Sequence, residues 1–217
     1  MIALFIALFP VALVLAFSEY LWRIKVIKGE RARKFIHILA GIWMALWPAY
    51  LPLDAIFIIG VIGVNVLLYS RYTGLVHAIY AVERRTYGDI FFAVSIALCA
   101  LLAEASWIYG IAILIMAVAD GGAAVVGRLW GQSNLYFVFG LKSLRKSVAG
   151  TAAYALLVYA SIGAGWLLGG NDAISSHAFL VLAVLPILAT LFENVSPYGF
   201  DNLITPLFTV IFLNALA

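Results

Sequence analysis

Charge is what this sequence has least of. Asp, Glu, Lys and Arg make up 11% of its 217 residues, while apolar residues make up 66%. An average soluble domain carries about 25% charged residues. A soluble chain of this length could not bury so much apolar surface, because its core grows too slowly with size. Hydrocarbon is therefore the expected solvent. Cysteine is nearly absent: Cys99 lies inside an apolar run, which excludes an internal disulfide. The three histidines, His37, His77 and His177, are too far apart in sequence to suggest a metal cage. No Lys or Arg precedes Arg23, so the first apolar stretch lacks the basic n-region of a signal peptide and reads as a retained span. The phosphate-binding motifs of soluble enzymes are missing too. There is no G-x-x-x-x-G-K-[ST] and no G-x-G-x-x-G, and Gly140-Leu-Lys142-Ser143 is not a disguised one. Any nucleotide site must be built from the ends of membrane helices. The net charge of +3 does not imply nucleic acid, since the basic residues flank hydrophobic spans.

A spanning helix needs about 20 apolar residues. On that ruler the chain divides into eight candidate spans, at 1–22, 35–51, 53–70, 89–104, 107–127, 147–168, 178–193 and 203–217. Seven is the alternative count, because the second, fourth and last are short. The expected fold is an all-α integral membrane protein, a polytopic bundle of about eight transmembrane helices in one domain, 1–217. The placement of charge supports the division. All 13 Lys and Arg fall in the connections after spans one, three and five, and none lies around Pro48–Asp54, Glu104–Trp107 or Gly169–His177. By the positive-inside rule, the basic connections face the cytoplasm and both termini lie outside.

The acidic residues then become informative. Asp54, Glu104 and Asp172 fall at the outer face and read as solvated turn residues; Glu19, Glu30 and Glu83 have basic neighbours and read as surface charges. Asp120 differs, sitting late in an apolar span within Met116-Ala-Val-Ala-Asp120-Gly-Gly-Ala-Ala-Val-Val-Gly127-Arg-Leu-Trp-Gly131. A carboxylate in hydrocarbon is expensive and should face the bundle interior or a wet cavity. Positions 120, 124, 127 and 131 share a helical face of small residues that also suits close packing of a neighbour. Packing does not require the carboxylate.

Three further segments gather chemistry at the same side. Lys142-Ser143-Leu-Arg145-Lys146-Ser147 runs into Gly150-Thr151 at a helix start, where cations, free N–H groups and the helix dipole suit an anion. An ordinary positive-inside loop reads equally well there. Arg33-Lys34-Phe-Ile-His37 enters the second span with the histidine one turn inside the cations; lipid headgroup binding and a satisfied core histidine are the alternatives. Glu193-Asn194-Val-Ser-Pro-Tyr-Gly-Phe-Asp201-Asn202 links the last two spans and, with Gly88-Asp89, completes a set of carboxylates opposite a set of cations. Hard oxygen donors suit Mg²⁺, which commonly binds through one or two carboxylates plus substrate phosphates. Phosphoryl transfer needs mainly such charge neutralisation and positioning.

Together these blocks resemble the membrane prenol kinase family, in its phytol kinase and farnesol kinase branch, related to dolichol kinase and CTP-dependent diacylglycerol kinase. The resemblance is carried by Arg33-Lys34-x-x-His37, Asp120 with Gly127 and Gly131, Lys146-Ser147-Val-Ala-Gly150-Thr151, and Glu193 through Asp201-Asn202-Leu-Ile-Thr-Pro206. They occur in the family's order and span most of the chain from Arg33 onward. Ala149 stands where dolichol kinase-like members have Glu, which favours a shorter isoprenoid alcohol. The resemblance implies CTP-dependent phosphorylation of a lipid alcohol. It implies that Asp120, Glu193 and Asp201, with His37, are the catalytic group, and that Mg²⁺ is held by Asp120, Asp89, Glu193 and Asp201. Lys146, Lys142, Arg145, Ser147, Gly127, Arg33, Lys34 and Asn202 would hold the nucleotide. The expected partners are the alcohol, CTP and membrane lipid, without nucleic acid; self-association is left open. The expected location is a cell inner membrane or an organellar or thylakoid membrane, with the site on the cytoplasmic side. The rival functions are a phosphatidate cytidylyltransferase, a CTP-dependent diacylglycerol kinase and, from another class, a transporter. A transporter should carry polar residues near the bilayer midplane and paired repeats, and here the polar residues cluster at one face.

Overall fold

A computed structural model describes residues 1–74, 77–80, 86–141 and 144–217. Within them, helices cover each of the apolar stretches: α1 (Ile2–Arg23), α2 (Glu30–Ala45), α3 (Leu53–Thr73), α4 (Gly88–Leu102), α5 (Ser106–Trp130), α6 (Val148–Ser176), α7 (Leu180–Val195) and α8 (Asp201–Asn214). Of these, α1, α3, α5 and α6 are long and apolar enough to cross a membrane, while α4 and α7 are apolar but shorter. Uninterrupted apolar sequence becomes helix because hydrocarbon offers backbone N–H and C=O groups no partner outside their own segment. Gly74 closes α3 in the left-handed conformation (φ 70°), its N–H reaching the Ser70 carbonyl at 2.8 Å.

The bundle is not wholly helical. Between α5 and α6 the chain forms an antiparallel ribbon of β1 (Leu135–Phe137) and β2 (Arg145–Ser147), with Leu135 opposite Ser147, Tyr136 opposite Lys146 and Phe137 opposite Arg145. Strands of three residues are too short to show the period-2 alternation by which a strand is read from sequence; the ribbon is a local addition to a fold that is otherwise all-α, as expected.

Helix α5 is the centre of the molecule. Two thirds of its most apolar window (67%) is buried, against 11% for the peripheral α1. Ile108, Tyr109, Ile111 and Met116 of α5 share a core with Tyr154 and Val158 of α6, Leu185 and Ala189 of α7, and Val210 and Leu213 of α8. Outside, Phe5, Phe17, Val66, Leu167, Phe179 and Ile187 are among many exposed large apolar side chains, a surface that suits lipid and would aggregate in water. Helices α3 and α4 approach so closely that a Cβ on Gly60 would come within 2.8 Å of Ala97 backbone atoms. The Trp43 indole N–H, donating to the Ala7 carbonyl at 2.9 Å, ties α1 to α2.

Successive helices from α2 onward alternate in direction. The N-terminal ends of α2, α4, α6 and α8 meet the C-terminal ends of α3, α5 and α7, joined by Arg71–Asp89, Lys34–Asp120 and Lys146–Glu193. At the other end Asn214 accepts the Glu104 N–H at 3.2 Å and donates to the Leu102 carbonyl at 2.7 Å. Ionisable side chains thus collect at the first of these ends. Arg33, Lys34 and His37 on α2 are all buried there, and a buried polar group needs a partner.

Candidate active site

Asp120 supplies that partner. It follows a π-helical turn, Ile115–Ala119, inside α5. Because of this turn the Asp120 N–H reaches the Ile115 and Ala117 carbonyls and passes over Met116, its partner in a regular α-turn. His37 takes up that carbonyl: its Nε2 lies 2.8 Å from the Met116 oxygen. A carbonyl only accepts, so His37 donates from Nε2. The same nitrogen is 3.4 Å from the Asp120 carboxylate, and the Lys34 ammonium donates to Asp120 directly. A local winding defect of the kind that often marks functional sites thus presents a carboxylate to a lysine and a histidine one turn apart on α2.

A second ion pair stands beside the first. Lys146, in β2, donates to the Glu193 carbonyl at 3.0 Å and to its carboxylate. Burial alone would lower the Lys146 ammonium's pKa; the adjacent Glu193 carboxylate, with Asp201 and Asp120 behind it, more than offsets this, so Lys146 is held above its ordinary value. Asp201 opens α8, its Oδ1 accepting the Asn202 N–H at 3.1 Å. One carboxylate oxygen from each of Asp120, Glu193 and Asp201 lies within 4.8 Å of the others. The residues between Glu193 and Asp201 are held against α4. Asn202 Nδ2 donates to the Gly88 carbonyl at 2.7 Å and Thr86 Oγ1 to the Tyr198 carbonyl at 3.2 Å. Gly199 has φ +92°, and a Cβ there would come within 2.6 Å of the Gly88 Cα. Only glycine fits that turn.

Lys34, Asp120, Lys146 and Glu193 border a cavity of about 890 Å³, while His37 and Asp201 lie behind its lining. Among the described residues its lining holds the cations Lys28, Lys34, Arg128, Arg145 and Lys146, and the carboxylates Glu30, Asp120 and Glu193. The excess of cations suits a polyanion. Gly127, Ser147, Gly150 and Thr151 form part of the wall. The small-residue face of α5 does both things proposed for it. A Cβ on Gly127 or on Gly150 would come within 2.9 Å of Ser147 Oγ, so the stripe admits the start of α6 while Asp120 looks into the cavity. Ser147 has a structural task as well: its hydroxyl caps α6 by accepting the Gly150 N–H at 3.1 Å.

Not every residue singled out from sequence arrives. Asp89 is not in the three-carboxylate group; it faces Arg71 at 3.4 Å. Arg33 donates to Glu30 at 3.1 Å and packs against Gly88, outside the cavity lining. Asn202 holds α8 to α4 and also lies outside the lining. Lys142 falls outside the described residues. Conversely, Glu30 was read as a surface charge and instead lines the cavity; its spacing of three from Arg33 was the available signal. Lys28, Arg128 and Tyr136 carried no motif to mark them.

The blocks around Lys34, Asp120, Lys146 and Glu193, scattered along the sequence, converge on one cavity. A phytol kinase from a Synechocystis species is 31% identical over 197 residues, which cover 88% of this chain and 81% of the relative. The chain belongs to the phytol kinase family. No family model matches it, and no solved structure does. In this phytol kinase family member the similarity extends over most of the bundle. What those elements bring together is a set of hard oxygen donors facing ammonium and guanidinium groups, an arrangement able to bind and neutralise phosphate.

Proposed function

We propose that this chain phosphorylates an isoprenoid alcohol of the phytol, farnesol or geranylgeraniol type, drawing the phosphoryl group from CTP. The site would face the cytoplasm, in a membrane crossed about eight times with both termini outside. The observation that carries the reading is the meeting of Asp120, Glu193 and Asp201 with Lys34 and Lys146 beside a cation-rich cavity, in a chain whose relative is named a phytol kinase. The apolar exterior supports the choice of substrate. A prenyl tail belongs in hydrocarbon, and its hydroxyl reaches the polar end of the bundle.

In the proposed reaction the alcohol oxygen attacks the γ-phosphorus, the bond from that phosphorus to the β–γ bridging oxygen breaks, and CDP leaves. Asp201 forms no ion pair among the described residues and takes the alcohol's proton. Lys34, Lys146, Arg128 and Arg145 hold the phosphates and neutralise their charge. The hard oxygen donors fit Mg²⁺, which Asp120 and Glu193 would hold and which would supply further charge neutralisation on the phosphates, leaving Asp201 as the base. Asp89, paired with Arg71, is left out of that set. His37 keeps Asp120 in place through Met116.

The test is a screen of purified protein with phytol, farnesol, geranylgeraniol, diacylglycerol and phosphatidate, each with CTP and with ATP. A prenyl monophosphate and CDP are expected. Pyrophosphate release from phosphatidate and CTP would identify a cytidylyltransferase instead, and phosphorylation of diacylglycerol alone would identify a diacylglycerol kinase.

A further inference from the structure

Tyr136 lies directly opposite Lys146 in the ribbon, and opposed residues of an antiparallel pair project from the same face. Both side chains reach α7 at consecutive residues. The Tyr136 hydroxyl donates to Asn194 Oδ1 at 2.9 Å, and the Lys146 ammonium donates to the Glu193 carbonyl at 3.0 Å. Thr151, in the first turn of α6, completes the group: its hydroxyl is 2.6 Å from that of Tyr136 and 3.2 Å from Asn194 Oδ1. The ribbon, α6 and α7 therefore meet at one polar point beside Lys146. Strands of three residues form too few ladder bonds to hold a position by themselves. Three contacts here share two hydroxyl hydrogens, so without the Tyr136 hydroxyl Thr151 still donates to Asn194 and the α6–α7 contact survives. What is lost is the link from β1, leaving Lys146 of β2 to hold the ribbon on α7 alone.

We propose that Tyr136 is a positioning residue, whose hydroxyl on Asn194 and Thr151 sets the ribbon against α7 and keeps the Lys146 ammonium on Glu193 at the cavity wall. The placement of the lysine stands on geometry alone; its kinetic consequence rests on the kinase reading above.

The experiment reads both separately. Purified full-length protein and its Tyr136→Phe variant are treated with an amine-acetylating ester, and the rate at each lysine is followed by mass spectrometry. Lys146, whose side chain is 21% exposed, should be modified about tenfold faster in the variant, the scale of one lost hydrogen bond. Lys25 and Lys28 should keep their rates. In turnover assays the KM for CTP should rise about tenfold while kcat stays within about twofold, as expected for weakened ground-state binding. Thr151→Val, which leaves the Tyr136–Asn194 bond, should keep Lys146 near its original rate. An unchanged Lys146 rate in Tyr136→Phe overturns the proposal. So does a parallel rise at Lys25 and Lys28, which would mean general loosening, or an equal rise in Thr151→Val. If Lys146 depends on Tyr136 but the unaltered protein phosphorylates no alcohol, the positioning role stands and the kinase reading falls.

Discussion

Asp120 is the residue on which the proposed chemistry most depends. Asp120→Asn keeps size and polarity and removes the charge, and turnover should fall at least about 100-fold, the scale of losing a principal electrostatic contact. Size-exclusion behaviour should be unchanged, because the side chain borders a cavity rather than lipid. Near-normal turnover from a well-folded Asp120→Asn protein would reduce the glycine face of α5 to packing. Lys34 tests the same pair from the other side. Lys34→Met leaves the Asp120 carboxylate buried beside an apolar side chain, and stability should drop by roughly 3 kcal/mol, as when one partner of a buried pair is removed. Adding Asp120→Asn to Lys34→Met should recover much of that loss, since the uncompensated charge is gone. Thermal or denaturant unfolding of the four proteins of this cycle measures the coupling, and simple additivity would argue against a working pair.

Among the elements, the α3–α4 contact and the ribbon show two ways of fixing geometry. Helices α3 and α4 are joined by shape: a Cβ on Gly60 would lie 2.7 Å from the Ala97 nitrogen. Backbone cannot give way as a flexible side chain can. Gly60→Ala should therefore cost about 1–3 kcal/mol of stability by overpacking, read as a lower thermal midpoint, with KM for CTP unaltered because the contact lies away from the cavity lining. Gly63→Ala is the control, since a Cβ there meets nothing within 4 Å. The ribbon is joined by hydrogen bonds and an ion pair instead, so under the proposed function its loosening should show first in the KM for CTP.

For the molecule as a whole, the alternation of charge predicts sidedness. Cysteines introduced beside Asp54 and Asp172 should react with an impermeant thiol reagent from outside, and those beside Lys28 and Arg128 should not. Native Cys99 is fully buried and contributes little background. Labelling of both sets from one side would end the eight-span arrangement and the cytoplasmic placement of the site together.

Much of this was legible along the chain. Apolar run length marked where the helices lie, because a segment in hydrocarbon must satisfy its own backbone. The clustering of Lys and Arg in alternate connections showed that polar chemistry gathers at one end, and the cost of a carboxylate in an apolar run singled out Asp120. What the linear order could not supply was pairing. Lys34 and Asp120 are 86 residues apart, and Lys146 and Glu193 are 47 apart; nothing local distinguishes Lys34 from its neighbour Arg33, which turns to Glu30 and Gly88 instead. Asp89 and Asp201 likewise share a composition and a helix start, yet the packing of α3 against α4 gives Asp89 to Arg71 and leaves Asp201 with Asp120 and Glu193. The proposed role of Tyr136 emerges only when two three-residue strands pair and meet α7. Sequence determined the helices and the face that carries the charge, because both follow from transfer between water and hydrocarbon, a property of each residue. The tertiary structure decided which carboxylate meets which cation, because that depends on the distances and directions that packing imposes.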